Sequence, residues 1–314
     1  MKTFVIGIIA AFGVSLLLLF ILLPLLRRLK AGQYILGYVK EHKDKGGTPT
    51  MGGLAFIAAI IVVGLCVVGI SDSKANFTFA ITAGFAVVGF LDDFLKIYRK
   101  ENEGLKPYQK IIFQLAIASI AATYCYINGI TQLYIPFGNG ATFNIGWGII
   151  PLVLFVFLAC VNCVNLTDGL DGLAGGTSLV YLFIFGIILA EQKANQAVLC
   201  FIAVGAIGAF LLLNANKASI FMGDTGSLAL GGYISCVSVF TGNTLYIPLL
   251  GIMFVISGIS VILQVIYYKR TRHRIFLMAP LHHHFQMKGY TECKITYAYA
   301  VITAIIGMIC LLFV

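Results

Sequence analysis

Charge is what this chain has least of. Only 11% of its 314 residues are charged while 60% are hydrophobic, and the mean hydropathy is +0.98. Soluble domains carry roughly 25% charged residues, so composition excludes an ordinary soluble protein and points to a polytopic membrane protein. No small-residue cleavage site follows the first apolar run, Phe4 to Leu26. A bilayer core of about 30 Å needs about 20 apolar residues, so that run reads as a retained spanning helix rather than a signal peptide. The eight cysteines (66, 125, 160, 163, 200, 236, 293 and 310) lie mostly inside apolar segments. They read as small buried apolar side chains, and neither a disulfide framework nor a zinc cluster follows from them. Two further patterns are missing, the HExxH of metalloproteases and the GxxxxGK[ST] of P-loops.

What is present is a set of apolar stretches, ten of them: 3–26, 51–70, 77–95, 108–128, 146–164, 174–190, 196–213, 225–241, 246–267 and 294–314. The eighth is short and glycine-rich. Between the fourth and fifth, YIPFGNGATFNIG alternates turn residues with β-formers, so 129–145 reads as a small hairpin outside the membrane. The fold class expected is therefore an all-α polytopic membrane protein with ten spans in a single domain, 1–314. The loops after odd-numbered spans hold 18 of the 21 Lys and Arg residues; Lys2, Lys74 and Lys193 are the rest. The positive-inside rule then puts those loops in the cytoplasm and both termini outside. The cytoplasmic loops 27–50, 96–107, 165–173, 214–224 and 268–293 would form the active site.

Five of the seven aspartates sit at the ends of these apolar segments. A carboxylate near hydrocarbon costs about 2.5–3.5 kcal/mol on insertion scales, so repeated placement there argues for a polar site at one membrane face. Transporters place polar groups near the midplane, often on broken helices; clustering on one face instead suits a substrate taken from the cytosol. Asp92 and Asp93, in LDDFLK, stand at a helix C-terminus, the pole that disfavours anions, with Lys96 one turn on. They are either a solvated helix end or a divalent-cation and acid–base pair. Asp224, in FMGDTGS, is an N-cap, a Mg²⁺ ligand beside a phosphate, or both. Asn162, Asn165, Asp168 and Asp171 recur every third residue, which on a helix gives one slowly drifting face, although Gly169 and Gly172 argue for a turn close to a ligand. His282, His283 and His284 are consecutive, and successive helical residues diverge by about 100°, so they do not chelate one ion easily. With Arg272, Arg274 and Lys288 nearby they read as an anion-binding or proton-shuttling loop, or simply a solvated one. The basic stretch from Arg27 ends in KGGTPTMGG, where Lys45 either anchors the chain at anionic lipid or touches a phosphate. Acids, basic loops and a lipid boundary together suit phosphoryl transfer between a soluble nucleotide and a lipid phosphate, where two anions must be brought together.

LDDFLK, NLTDGLDGLA, FMGDTGSLALGG and PLHHHF, in this order, resemble the polyprenyl-phosphate N-acetylhexosamine-1-phosphate transferases over essentially the whole chain. KGGTPTMGG and PLHHHFQ are similar to the branch that uses a muramoyl-peptide donor. The resemblance implies that undecaprenyl phosphate attacks UDP-N-acetylmuramoyl-pentapeptide (UDP-MurNAc-pentapeptide), giving lipid I and UMP in peptidoglycan synthesis at the inner membrane, with Mg²⁺ as cofactor. It implies Asp224 as the Mg²⁺ ligand, with Asp92 and Asp93 beside it as metal partners or base, and His283 as a catalytic residue. Asn214 and the His282–His284 run would border the diphosphate and sugar, and Asn162 and Asn165 would also bind substrate. Asp168, Gly169, Asp171, Phe221, Lys45 and Gln264 would border the uridine, while Lys96 and Lys110 assist with phosphates. Gln286 departs from the family's pattern, which has an acidic residue after HHHF. The partners implied are the two substrates and membrane lipids, with no nucleic acid; a homodimer stays open. The rival expectations are a sister enzyme using UDP-N-acetylglucosamine or a related UDP-sugar, an ion-coupled transporter, and a metalloprotease.

Overall fold

Long helices account for most of the computed structural model, which describes residues 1–29, 32, 47–101 and 103–314. Twelve helices follow in chain order: α1 (Lys2–Arg28), α2 (Gly53–Val68), α3 (Ser73–Arg99), α4 (Pro107–Ile127), α5 (Ile149–Thr167), α6 (Leu173–Glu191), α7 (Ala197–Asn214), α8 (Gly223–Phe240), α9 (Ile247–Leu250), α10 (Ile252–Thr271), α11 (Leu281–Met287) and α12 (Glu292–Leu311). Eight of them are long and apolar enough to cross a membrane: α1, α3, α4, α5 with its preceding turn, α6, α7, α10 and α12. Their boundaries carry ordinary stop and start chemistry. Asp72 caps α3 by accepting from Ala75 N, and Lys100 ends it in a left-handed conformation. Pro107 opens α4, where the missing N–H costs nothing.

The two remaining long segments of the ten expected are α2 and α8. α2 is apolar but only 16 residues long. α8 has an acidic first turn and three serines, and every residue from Thr225 to Phe240 is buried. It runs through the middle of the bundle against α2, α3 and α5. Such a helix needs small residues more than apolar ones, because its neighbours' backbones come close. Gly226 shows this: a Cβ there would lie 2.9 Å from the Cα of Gly53. The glycines that make α8 look weak as a span are what let it occupy the centre.

The outer helices have the opposite pattern. α1, α4, α10 and α12 present rows of exposed apolar side chains, among them Ile9, Phe20, Ile112, Ile262, Val301 and Met308. Soluble monomers rarely expose continuous apolar belts of this kind; a lipid environment accounts for them.

The expected ninth span, 246–267, is not one helix. A 3-10 turn (Thr244–Tyr246) leads into α9, and Gly251 separates that from α10. Pro248 has no N–H for the helical ladder, and Gly251 N bonds back to Ile247 O. The hairpin expected at 129–145 is present: β1 (Gln132–Tyr134) pairs antiparallel with β2 (Thr142–Asn144), Leu133 opposite Phe143.

Contacts between the connecting segments define the two ends of the bundle. At one end Ser73 meets Tyr124, Gln196 meets Asp72, Gln192 meets Asn243, and Tyr134 N donates to Gly242 O. The polar motifs all lie at the other end.

Candidate active site

At that end the C-terminal turns of α3 meet the N-terminus of α8. Asp92, Asp93 and Asp224 each offer a carboxylate oxygen, and the three oxygens lie within 4.8 Å of one another. Two lysines fill the space between them. Lys96 Nζ is 2.6 Å from Asp92 Oδ2 and 3.3 Å from Asp224 Oδ2; Lys110 Nζ is 3.0 Å from Asp92 Oδ1 and 2.5 Å from Asp224 Oδ2. Asp92 is fully buried, Asp93 nearly so, and Asp224 slightly exposed at 16%. Three carboxylates against two ammonium groups leave one negative charge in excess, in a place where water screens little.

The two adjacent acids have different surroundings. Asp93 secures the start of α8: its Oδ1 accepts from Asp224 N at 3.2 Å, and its Oδ2 accepts from Thr225 N at 2.9 Å and Thr225 Oγ1 at 2.7 Å. These are N-terminal helix amides that lack intrahelical partners. Gly223 makes the approach possible, with φ +73° and no side chain, since a Cβ there would run into Asp93 Oδ2. Asp92 accepts one backbone bond, from Leu105 N at 2.7 Å, and otherwise faces the lysines. Asp224 Oδ1 accepts from Asn165 Nδ2 at 3.1 Å, and the same amide nitrogen reaches Ser227 Oγ at 2.8 Å. The ligand atoms that Asp92, Asp93 and Asp224 offer are carboxylate oxygens, hard donors that suit Mg²⁺. Asp92 Oδ2 supports the fit, being buried with no partner except the Lys96 ammonium.

The polar series beginning at Asn162 breaks after Thr167, where α5 ends, so its four members do not share a face. Asn162 pairs with Gln114 on α4 (2.7 Å), and Asn165 alone reaches the acids. Asp168 caps α5 at the edge of the site. Burial pushes its carboxyl up to about 8, and the negative charges of Asp224, Asp93 and Asp171 add to the effect. Asp171 Oδ2 accepts from Ala218 N at 2.9 Å, and Asn214 bridges Gly172 N and Ile220 O. These two residues join the α5–α6 turn to the α7–α8 connection. Phe221, on the same connection, pairs its backbone with Pro49 and Gly52.

The histidine run is a helix, α11, not a loop; its first two rings lie together and the third points elsewhere. His282 is buried with both ring nitrogens unpartnered, packed over Gly169. Burial holds its pKa well below the ordinary value, with His283 adding to the effect. The His283 ring lies 4.3 Å from that of His282, and His283 Nε2 also faces Gly169. His284 turns away: its Nδ1 accepts from Leu277 N at 3.1 Å. Gln264 likewise serves the α10–α11 connection, accepting from Ile275 N and Phe276 N and donating to Phe276 O.

The structure thus brings together Asp92, Asp93, Lys96, Lys110, Asn165 and Asp224, with Asp168, Gly169, His282 and His283 alongside. Asn162, Asp171, Asn214, Gln264 and His284 make supporting contacts around them. Lys45 lies outside the described residues. Sequence reading passed over Thr225, Ser227 and Gln114. Ser227 sits three residues after Asp224, a spacing that on a helix puts both on one face; Thr225 and Gln114 carry no such local signal.

The model of glycosyl transferase family 4 matches residues 75–242. Phospho-N-acetylmuramoyl-pentapeptide-transferase of Clostridium perfringens (strain 13 / Type A) is 44% identical over 303 residues, covering 96% of this chain and 95% of its own. The enzymes of the same name from Clostridioides difficile (strain 630) and Bacillus subtilis (strain 168) are each 42% identical. The first alignment covers 92% of this chain and 91% of the relative, the second 96% and 95%.

Proposed function

This chain belongs to glycosyl transferase family 4, and on that premise we propose that it transfers phospho-N-acetylmuramoyl-pentapeptide from its UDP-linked form to undecaprenyl phosphate, releasing UMP and forming lipid I. A lipid-phosphate oxygen forms the new bond to the β-phosphorus of the donor, and the bond from that phosphorus to the bridging oxygen of UMP breaks. The observation that carries the reading is the meeting of Asp92, Asp93 and Asp224 with Lys96 and Lys110 at one end of a bundle with a lipid-compatible exterior.

A phosphomonoester has its second pKa near 6, so the attacking oxygen is already ionised at neutral pH. The reaction then needs charge neutralisation and alignment more than proton removal. Asp92 and Asp224 would hold Mg²⁺, which when bound would supply positive charge to offset that of the phosphates. Asp93 keeps the first turn of α8 in register so that Asp224 faces that position. Lys96 and Lys110 move from carboxylate to phosphate oxygens as the substrates enter. Asn165 orients Asp224. Asp168, whose carboxyl is held up to about 8, is mostly protonated at pH 7 and donates a hydrogen bond to a carbonyl or phosphate oxygen of the nucleotide. His282 and His283 line the same turn.

The proposal includes ten crossings, counting α2 and α8, with both termini outside and the site facing the cytoplasm of the inner membrane. The 18-to-3 split of Lys and Arg supports it, as does the presence of the LDDF and GDTG ends on one side of the bundle. The test is a detergent-micelle assay with labelled UDP-MurNAc-pentapeptide, with and without undecaprenyl phosphate and EDTA. UMP release that requires the lipid phosphate and stops with EDTA is expected. Release from UDP-N-acetylglucosamine instead would favour the sister reaction. Asp224→Asn is expected to insert normally and release no UMP; normal release by that variant would remove Asp224 from the metal role.

A further inference from the structure

Three side chains tie α11 to the α5–α6 turn. His283 Nδ1 lies 3.0 Å from Gln286 Oε1. Gln286 Nε2 donates to Glu292 Oε1 at 3.4 Å. Glu292 Oε2 accepts from Asp171 N at 3.1 Å. Glu292 is the first residue of α12, and all three side chains are half-buried.

The chemistry of these groups gives the chain a direction. An ionised carboxylate only accepts hydrogen bonds, whereas an amide has a donating end and an accepting end. Glu292 therefore turns the NH₂ of Gln286 toward itself, which leaves Gln286 Oε1 toward His283. That oxygen has no proton to give, so the proton of this bond belongs to His283 Nδ1. A neutral imidazole carries one N–H, so the lone pair resides on Nε2, the nitrogen facing Gly169. The same logic orients metal-bound histidines through a neighbouring carboxylate.

We propose that Glu292, acting through Gln286, is a positioning residue that holds His283 with its proton on Nδ1 and an accepting Nε2 turned to the Asp168–Gly169 turn. Its bond to Asp171 N fixes the distance between α11 and that turn, so one carboxylate sets both the tautomer of the ring and its approach. The glutamine makes the arrangement depend on Glu292: an amide at 286 accepts either orientation, and only a neighbouring pure acceptor selects one. For catalysis the inference rests on the transferase reading; an accepting Nε2 receives a hydrogen bond from the bound donor substrate.

The test uses the full chain in lipid bilayers, labelled with ¹⁵N-histidine at pH 8, with the His283 signals assigned by their loss in His283→Asn. Wild type is expected to show His283 protonated on Nδ1. Glu292→Gln is expected to show both tautomers, because its side chain both donates and accepts. Gln286→Leu should lose the preference, and Gln286→Glu, whose carboxylate accepts directly from Nδ1–H, should restore a single Nδ1–H form. In turnover, Glu292→Gln is expected to lower kcat by about 10–100-fold, the usual size for an outer-shell partner, with KM for the donor little changed. A wild-type His283 protonated on Nε2, or a tautomer unaltered in Glu292→Gln, would overturn the proposal. The expected tautomer pattern in a protein that releases no UMP from the muramoyl donor would instead leave the positioning role standing and remove the transferase reading.

Discussion

Asp93→Asn separates the two adjacent acids. The Asp93 carboxylate accepts three hydrogen bonds from the start of α8, at 3.2, 2.9 and 2.7 Å, and is nearly fully buried. Asparagine keeps one accepting oxygen. Its NH₂ must then face either Asp224 N or the Thr225 pair, all of which are donors. Hydrogen bonds to charged groups are worth about 1.5–3 kcal/mol each, so losing one side of the clamp costs on that order. Removing the charge also loses the attraction of Lys96, 3.8 Å away, and relieves the repulsion of Asp224. The expected result is a loss of about 2–3 kcal/mol of stability, read as a lower Tm for exposure of the buried cysteines 125, 160, 200 and 236 to a thiol dye in detergent. Turnover should fall as well, because Asp224 loses its register. Asp92→Asn should behave differently, since asparagine keeps the Leu105 bond: Tm close to wild type, turnover lost. The double-mutant cycle of Asp93→Asn with Thr225→Val should show coupling of about 1–2 kcal/mol, as for residues in direct contact. An Asp93→Asn protein that melts like wild type but does not turn over would refute the clamp and make Asp93 a reacting group.

Other expectations follow from the same geometry. Lys110→Ala leaves three carboxylates facing one ammonium group, so kcat/KM should drop about 100-fold, a loss of about 3 kcal/mol in transition-state stabilisation; unchanged kinetics would show that Lys110 only fills space. Burial raises the Asp168 carboxyl to about 8, so the folded state keeps a proton that the unfolded chain releases near pH 4. Stability should therefore decline between about pH 4 and pH 8, and Asp168→Asn should flatten that decline in a Tm series; an unaltered slope would contradict a buried neutral acid. His282 has the reverse sign. Its pKa is depressed, so the unfolded chain takes up a proton first as pH falls through about 6.5. Stability should drop below that pH, and less so in His282→Leu; equal slopes in the two proteins would place the ring in water.

Much of this protein was legible as sequence because hydrophobic periodicity and breakers are local. Helix positions, the 132–144 hairpin and the three aspartates that later meet were all visible in runs of about twenty residues or in short motifs. What failed was also local in origin. Span nine reads through Gly251 in sequence because the residues on both sides are apolar, and composition does not register a break in the helical ladder. The histidine run reads as a loop in sequence because α11 is only seven residues long and follows the irregular 272–280 stretch.

By itself the sequence determined that the chain builds a bundle of apolar helices and puts its acids at one end of it. The energy of burying apolar surface and the cost of carboxylates in hydrocarbon act residue by residue, and composition records both. Only the tertiary structure decided what each acid does. Asp92 and Asp93 are neighbours in the chain with the same chemistry, yet one faces two lysines and the other holds the first amides of α8. That division depends on Asp224, 131 residues after Asp93, and on Asn165 and Glu292, whose partners lie 59 and 121 residues away. Hydrogen bonds and ion pairs are directional and short-ranged, so their meaning for a residue is settled by what the fold brings within about 3 Å of it.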